Sequence, residues 1–166
     1  MLLVRPLSLG LATLTTGLIA GFFYAYACSV TLGTARLDDA GYIATMQAIN
    51  ATVRNPLFAF SFFGALLSLG LTAGIHVRHG WTPRARLTLL AFALYALGAF
   101  APTLGVSVPL NEQLAQVELA GTVETLARAR REYEANWNVW NAVRTVCSTI
   151  AFILLIAAPF TRATSN

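Results

Sequence analysis

WNVWNAVRTVCSTIAFILLIAAPF, residues 137–160, decides how this chain is read. Its second part, Thr145–Phe160, is apolar and uncharged but only 16 residues long, about 24 Å of helix. The hydrocarbon of a bilayer is about 30 Å thick. A helix that starts in lipid at Thr145 falls short, so Asn141 and Arg144 are expected inside its outer edge. Trp137, Asn141, Arg144 and Ser148 are spaced four, three and four apart and share one face. A guanidinium at membrane depth points into a bundle or a wet cavity, because facing lipid costs it several kcal/mol.

Working outward, three further apolar runs precede this one: Leu7–Leu32, Leu57–Ile75 and Leu87–Val106. Of 166 residues, 57% are hydrophobic and 11% charged, against about 25% charged in a soluble domain. The expected fold is all-α: one domain, residues 1–166, forming an integral membrane four-helix bundle. Its spans fall at about 7–33, 56–76, 86–107 and 137–160. The uncharged run Pro6–Ala35 is too long for a signal-peptide core, so the first helix is expected to be retained. The fourth helix is expected to begin near residue 122 and to project from the membrane.

The net charge is +4 and every basic residue is Arg. In a chain this apolar the basic balance does not point to nucleic acid. Arg5, Arg78, Arg84, Arg86 and Arg162 lie at one membrane face without an acid; all seven acids and five other Arg lie in the two loops at the opposite face. The short Val77–Arg86 loop carries three Arg close to lipid, which places both termini in the cytoplasm. The Arg-only, Ala-rich composition suits a bacterial cytoplasmic membrane. Cys28 and Cys147 form no C-x-x-C pair and read as small buried residues. Thr13, Gly17, Gly21, Ala25, Ser29 and Gly33 form a small-residue stripe on the first helix that lets a neighbour approach, within the subunit or in a homo-oligomer. Gly64, Ser68 and Thr72 repeat the device on the second. Pro102 is expected to kink the third.

DDAGYIATMQAINATVRNP, residues 38–56, predicts a short amphipathic helix capped by Asp38 or Asp39, with Gln47, Asn50 and Arg54 on one face. VPLNEQLAQVELAG, residues 108–121, predicts another, ending at Gly121. Because membrane helices alternate in direction, both loops and the mouth of the fourth helix lie at one membrane face. Asn50, Asn111, Asn141 and Arg144 can therefore converge there. Each also has an ordinary structural use: Trp at an interface belt, Arg reaching for phosphate, Asn capping a helix. No Asp or Glu lies within an apolar run, which leaves a cation-coupled transporter without its usual carboxylate. His76 and His79 have no third ligand nearby, so no metal is expected.

AGFFYAY (20–26), MQAINATVRNPLF (46–58), VPLNEQL (108–114) and WNAVRT (140–145) together resemble the anthrone-oxygenase-like family of small four-helix membrane proteins. The likeness covers nearly the whole chain in order. Where that family often has Asn before the Val-Pro-Leu-Asn element, this chain has Ser107. The resemblance implies oxidation of an anthrone by molecular oxygen without metal, flavin or other cofactor, the electron-rich anthrolate itself reducing O2. On that reading Arg144 stabilises the enolate, and Asn141, Asn111 and Asn50 hydrogen-bond the carbonyl or the peroxide. Trp137 or Trp140 stacks on the ring system, and Arg54 and Gln47 support from the loop. The base is Glu112, a water or the substrate's own phenolate. The partners are then a small hydrophobic aromatic substrate, O2 and membrane lipids. The alternative is a non-enzymatic membrane module that binds a lipid or a partner protein at its polar face.

Overall fold

The computed structural model describes residues 3–161, so Arg162 lies outside the described residues. Among these the chain is helical and without strands. Four helices are long and apolar enough to cross a membrane: α1 (Val4–Thr34), α3 (Pro56–Arg78), α4 (Pro83–Ala115) and α5 (Val123–Phe160). The short α2 (Asp39–Thr52) joins α1 to α3. Both α1 and α4 pack against α3 and α5, so the four long helices form a ring. The expected integral membrane four-helix bundle is the observed architecture, with α2 and the long final helix where the sequence puts them.

Helix starts follow short-range chemistry. Asp38 Oδ1 accepts from Gly41 N at 2.8 Å, and Asn55 Oδ1 accepts from Leu57 N and Phe58 N at 3.0 Å each. Thr82 and Thr122 play the same part for α4 and α5. Pro56 and Pro83 occupy first-turn positions where no amide donor is needed.

Three expectations are corrected. Residues 108–121 do not form a separate helix ending at Gly121; α4 continues through them to Ala115. Pro102 and Pro109 each remove a backbone donor, and the helix widens into π turns at Ala96–Phe100 and Thr103–Ser107 instead of ending. Within the subunit the stripe on α1 is only partly used. Gly17 receives the Phe152 ring, but Gly21 and Gly33 meet nothing, and Ala25 and Ser29 are exposed. The close approach of α1 and α3 comes from the second stripe: Gly64 lies against Thr15, and the Thr15 and Ser68 hydroxyls bond at 2.9 Å. Cys28 is exposed rather than buried. Cys147 packs against Gly98 so tightly that a methyl group there would collide with its sulfur.

The core has two parts. In the membrane tier Ile19, Phe23, Phe62, Leu69, Tyr95 and Leu155 are buried together, and the Tyr95 hydroxyl donates to the Phe62 carbonyl at 2.8 Å. The loop tier gathers Tyr42, Ile43 and Met46 of α2, Leu114 of α4, and Leu126, Tyr133 and Trp137 of α5. Arg130 locks this tier. It donates to the carbonyls of Ala35 (3.1 Å) and Leu37 (2.8 Å), to Asp39 (3.1 Å) and to Glu134 (2.7 Å), and its guanidinium lies over the Tyr42 ring. Burial, reinforced by Glu134 and opposed by Arg130, pushes the Tyr42 hydroxyl well above its ordinary range, so it stays neutral.

Candidate functional site

The site lies at the seam between the tiers. Trp137, Asn141, Arg144 and Ser148 all turn inward from α5 and are buried, as their spacing predicts. Arg144 retains only 4% of its exposure. Its Nη2 donates to Asn141 Oδ1 at 3.3 Å and its Nη1 to Thr103 Oγ1 at 3.4 Å. The guanidinium carbon sits 4.9 Å from the centre of the Phe23 ring and 5.1 Å from that of Trp137. Among the described residues it pairs with no carboxylate, and its buried Nε has no partner. Two aromatic faces and two long neutral hydrogen bonds support the charge but leave donor capacity unused.

Asn141 Nδ2 reaches across to the Phe23 carbonyl on α1 at 3.3 Å, just before the π turn Tyr26–Val30 loosens that helix. Above it runs a polar chain. Asn50 Nδ2 donates to the Tyr133 hydroxyl at 3.1 Å, and that hydroxyl donates to Asn111 Oδ1 at 2.8 Å. Trp137 Nε1 donates to the same oxygen at 3.1 Å. Thus α2, α4 and α5 are joined by one hydrogen-bonded network directly above the guanidinium.

These groups enclose a cavity of about 100 Å³ to which all five helices contribute. Phe22, Phe23 and Tyr26 come from α1, Asn50 from α2, with Val53 and Arg54 just past its end, and Phe58 from α3. Thr103, Ser107, Val108 and Asn111 come from α4, and Trp137, Asn141 and Arg144 from α5. Ser107 Oγ is buried without a partner, so two unpaired polar atoms, this one and Arg144 Nε, belong to residues of one cavity wall. The space is large enough for several waters. An open groove of about 810 Å³ between α1, α2 and α3 adjoins it and shares Phe22, Tyr26, Val53 and Phe58.

Of the residues singled out in the sequence, Asn50, Arg54, Asn111, Trp137, Asn141 and Arg144 are brought together around this cavity. Two are not. Gln47 spends its amide on the carbonyls of Leu114 (2.9 Å) and Val117 (3.0 Å), tying α2 to the end of α4. Trp140, one residue short of the inward face, stands outside the cavity. Arg54 pairs with Glu112 at 3.4 Å, both side chains more than half exposed, so Glu112 is held at the rim. The residue that spacing could have added is Tyr133: it extends the α5 face by one turn before Trp137. Among the described residues no cluster of three or more His, Cys, Asp or Glu could hold a metal ion.

A family model described as anthrone oxygenase matches residues 46–154, from the middle of α2 to near the end of α5. The match spans every cavity residue except those of α1. No curated protein and no solved structure matches the chain.

Proposed function

The chain belongs to the anthrone oxygenase family, and from that premise we propose that it is a membrane oxygenase whose substrate is an anthrone or a similar flat phenol. The observation that carries this reading is Arg144: a buried guanidinium with no carboxylate partner, an unpaired Nε, and a cavity wall of aromatic rings and amides. Such a group favours a ligand that becomes anionic as it reacts. An anthrone losing a proton from its central methylene becomes an enolate, and Arg144 lowers the cost of that charge in a site of low dielectric. The enolate then gives electrons to O2. One oxygen atom ends as the new ketone and the other leaves in water, with both methylene hydrogens, so substrate and O2 balance without a further reductant.

Asn141 and Asn111 are placed to hydrogen-bond the carbonyl or the developing peroxide, and Asn50 acts through Tyr133 to hold Asn111. The cavity of about 100 Å³ suits the reacting edge and O2 rather than a tricyclic system. The rings therefore occupy the adjoining groove, with the Phe22–Phe58 pair, 5.2 Å between centroids, moving aside. Glu112, held by Arg54 at the exposed rim, is poorly placed as the base; a cavity water or the substrate's phenolate takes that part.

The test is oxygen consumption by purified protein supplied with anthrone. Arg144→Ala is expected to lower the rate by about 10²–10³-fold, the usual cost of a lost charge-stabilising donor, and Arg144→Lys to restore part of it. If turnover survives Arg144→Ala in folded protein, the assignment fails. Loss of co-purified lipid with no turnover in either protein would favour a head-group binder instead. A haem or flavin absorption band in the pure protein would overturn the cofactor-free step.

A further inference from the structure

At the opposite membrane face a trough of about 900 Å³ opens between α1, α3 and α4, bounded by Pro159 at the end of α5. Its rim carries two arginines, Arg5 from α1 and Arg84 from α4, with His76 near the end of α3 and His79 just past it. Every acid of the chain lies on the other side, as the sequence arrangement requires. Below the rim the walls are apolar, with Leu9 and Leu14, and Gly10 leaves open space where a side chain would stand. From Arg5 to Leu14 is nine residues along α1, about 13 Å. That is close to half the thickness of the hydrocarbon, the depth of one leaflet.

The rim side chains keep free capacity. Arg84 donates through Nε and Nη2 to the carbonyls of Ala158 and Pro159, each at 3.0 Å, and so closes the end of α5 with Nη1 to spare. His76 Nδ1 bonds the Thr72 carbonyl at 2.9 Å and His79 Nδ1 the Ile75 carbonyl at 2.7 Å. A carbonyl only accepts, so the hydrogen sits on Nδ1 and each Nε2 is left as an acceptor for a donor such as a head-group hydroxyl.

We infer that this trough is a binding site for one anionic phospholipid of that leaflet. Its phosphate sits between Arg5 and Arg84, its head-group hydroxyls face the imidazole Nε2 atoms, and an acyl chain lies along Leu9–Leu14. An apolar channel of leaflet depth under a cationic rim selects a lipid over a free anion, and the excess of positive charge selects an anionic head group over a zwitterionic one. The site is independent of the oxygenase reading, since it shares no residue with the cavity at the other face.

The experiment is native mass spectrometry of the detergent-purified full chain titrated with phosphatidylglycerol or phosphatidylcholine. The wild type is expected to retain a single phosphatidylglycerol in preference to phosphatidylcholine. Arg5→Gln should weaken that retention about fivefold, the contribution of one basic residue near a lipid surface. Leu14→Trp, a change at an exposed position that fills the channel, should displace either lipid. Arg78→Gln removes an exposed charge from the same face outside the trough and should have no effect. The inference is overturned if Arg78→Gln and Arg5→Gln act alike, if Leu14→Trp leaves retention unchanged, or if millimolar inorganic phosphate competes the lipid away.

Discussion

The Tyr133 hydroxyl donates to Asn111 Oδ1 across 2.8 Å, and through this bond the first half of α5 holds the end of α4 over the cavity. The Tyr133 hydroxyl oxygen in turn accepts from Asn50 Nδ2, so a single atom links three helices. Tyr133→Phe removes that atom with little change of shape, leaving the half-buried Asn50 amide without this partner and Asn111 Oδ1 with Trp137 alone. Folding stability is expected to fall by about 1–3 kcal/mol, read as a lower thermal midpoint in detergent. Anthrone turnover should fall with it while substrate affinity changes less, because the loss is one of positioning.

Ser107 makes a contrasting case. Its hydroxyl is buried and unpaired, so Ser107→Ala removes an unmet polar group. The variant should be as stable as the wild type or more stable, by up to about 1 kcal/mol. If the hydroxyl serves a bound oxygen species, oxygen consumption will drop even as the thermal midpoint holds or rises. A lower midpoint would mean that Ser107 has a structural partner after all.

Gly98 and Cys147 set how closely α4 and α5 approach. Gly98→Ala is expected to cost about 1–3 kcal/mol through overpacking. Cys147→Ala removes the sulfur but leaves a Cβ against the new methyl, so it should recover only part of that, and Cys147→Gly, which removes both atoms, more. The double-mutant cycle should give a coupling of about 0.5–3 kcal/mol; simple additivity of the two changes would contradict the contact.

Two arginines at the loop face should behave differently. Arg130 makes four hydrogen bonds, three to residues 35–39 and one to Glu134 of its own helix, and is mostly shielded. Arg130→Met should destabilise the loop tier by about 1–3 kcal/mol, since it leaves the half-buried Asp39 and Glu134 carboxylates without this partner. The exposed Arg54–Glu112 pair should contribute about 0–1 kcal/mol. Glu112→Gln should also keep the anthrone rate within about threefold, whereas removal of a general base would cost about 10²–10⁴-fold.

Much of this arrangement was legible as periodicity. The short apolar run after Thr145 forced Arg144 into the bundle, and three-and-four spacing put Trp137 and Asn141 beside it. The alternation of membrane helices brought Asn50 and Asn111 to the same face. Other features carry no such signal. Arg130 and Gln47 bind backbone carbonyls, which every residue possesses, so nothing in the sequence marks the acceptors. Trp140 shares composition with Trp137 but not its angle on the helix. Pro102 reads as a kink, and only the π turns on either side of it show how α4 continues to deliver Asn111. Thr103 and Ser107, at the two ends of one such turn, owe their place at the cavity to the same device.

The division into tiers has a mechanical consequence. The floor of the cavity belongs to α4 and α5, which run through both tiers without a loop. Its roof, Asn50 and the following Val53 and Arg54, hangs from α2, a short helix pinned at its start by Asp39 to Arg130. Such a roof can lift on that pivot by giving up the Gln47 bonds to the Leu114 and Val117 carbonyls and the Asn50–Tyr133 bond, without unwinding any of the four long helices. A bulky guest then has a way in and out while the guanidinium stays still, and faster amide hydrogen exchange in the second half of α2 than in α4 or α5 would register the motion.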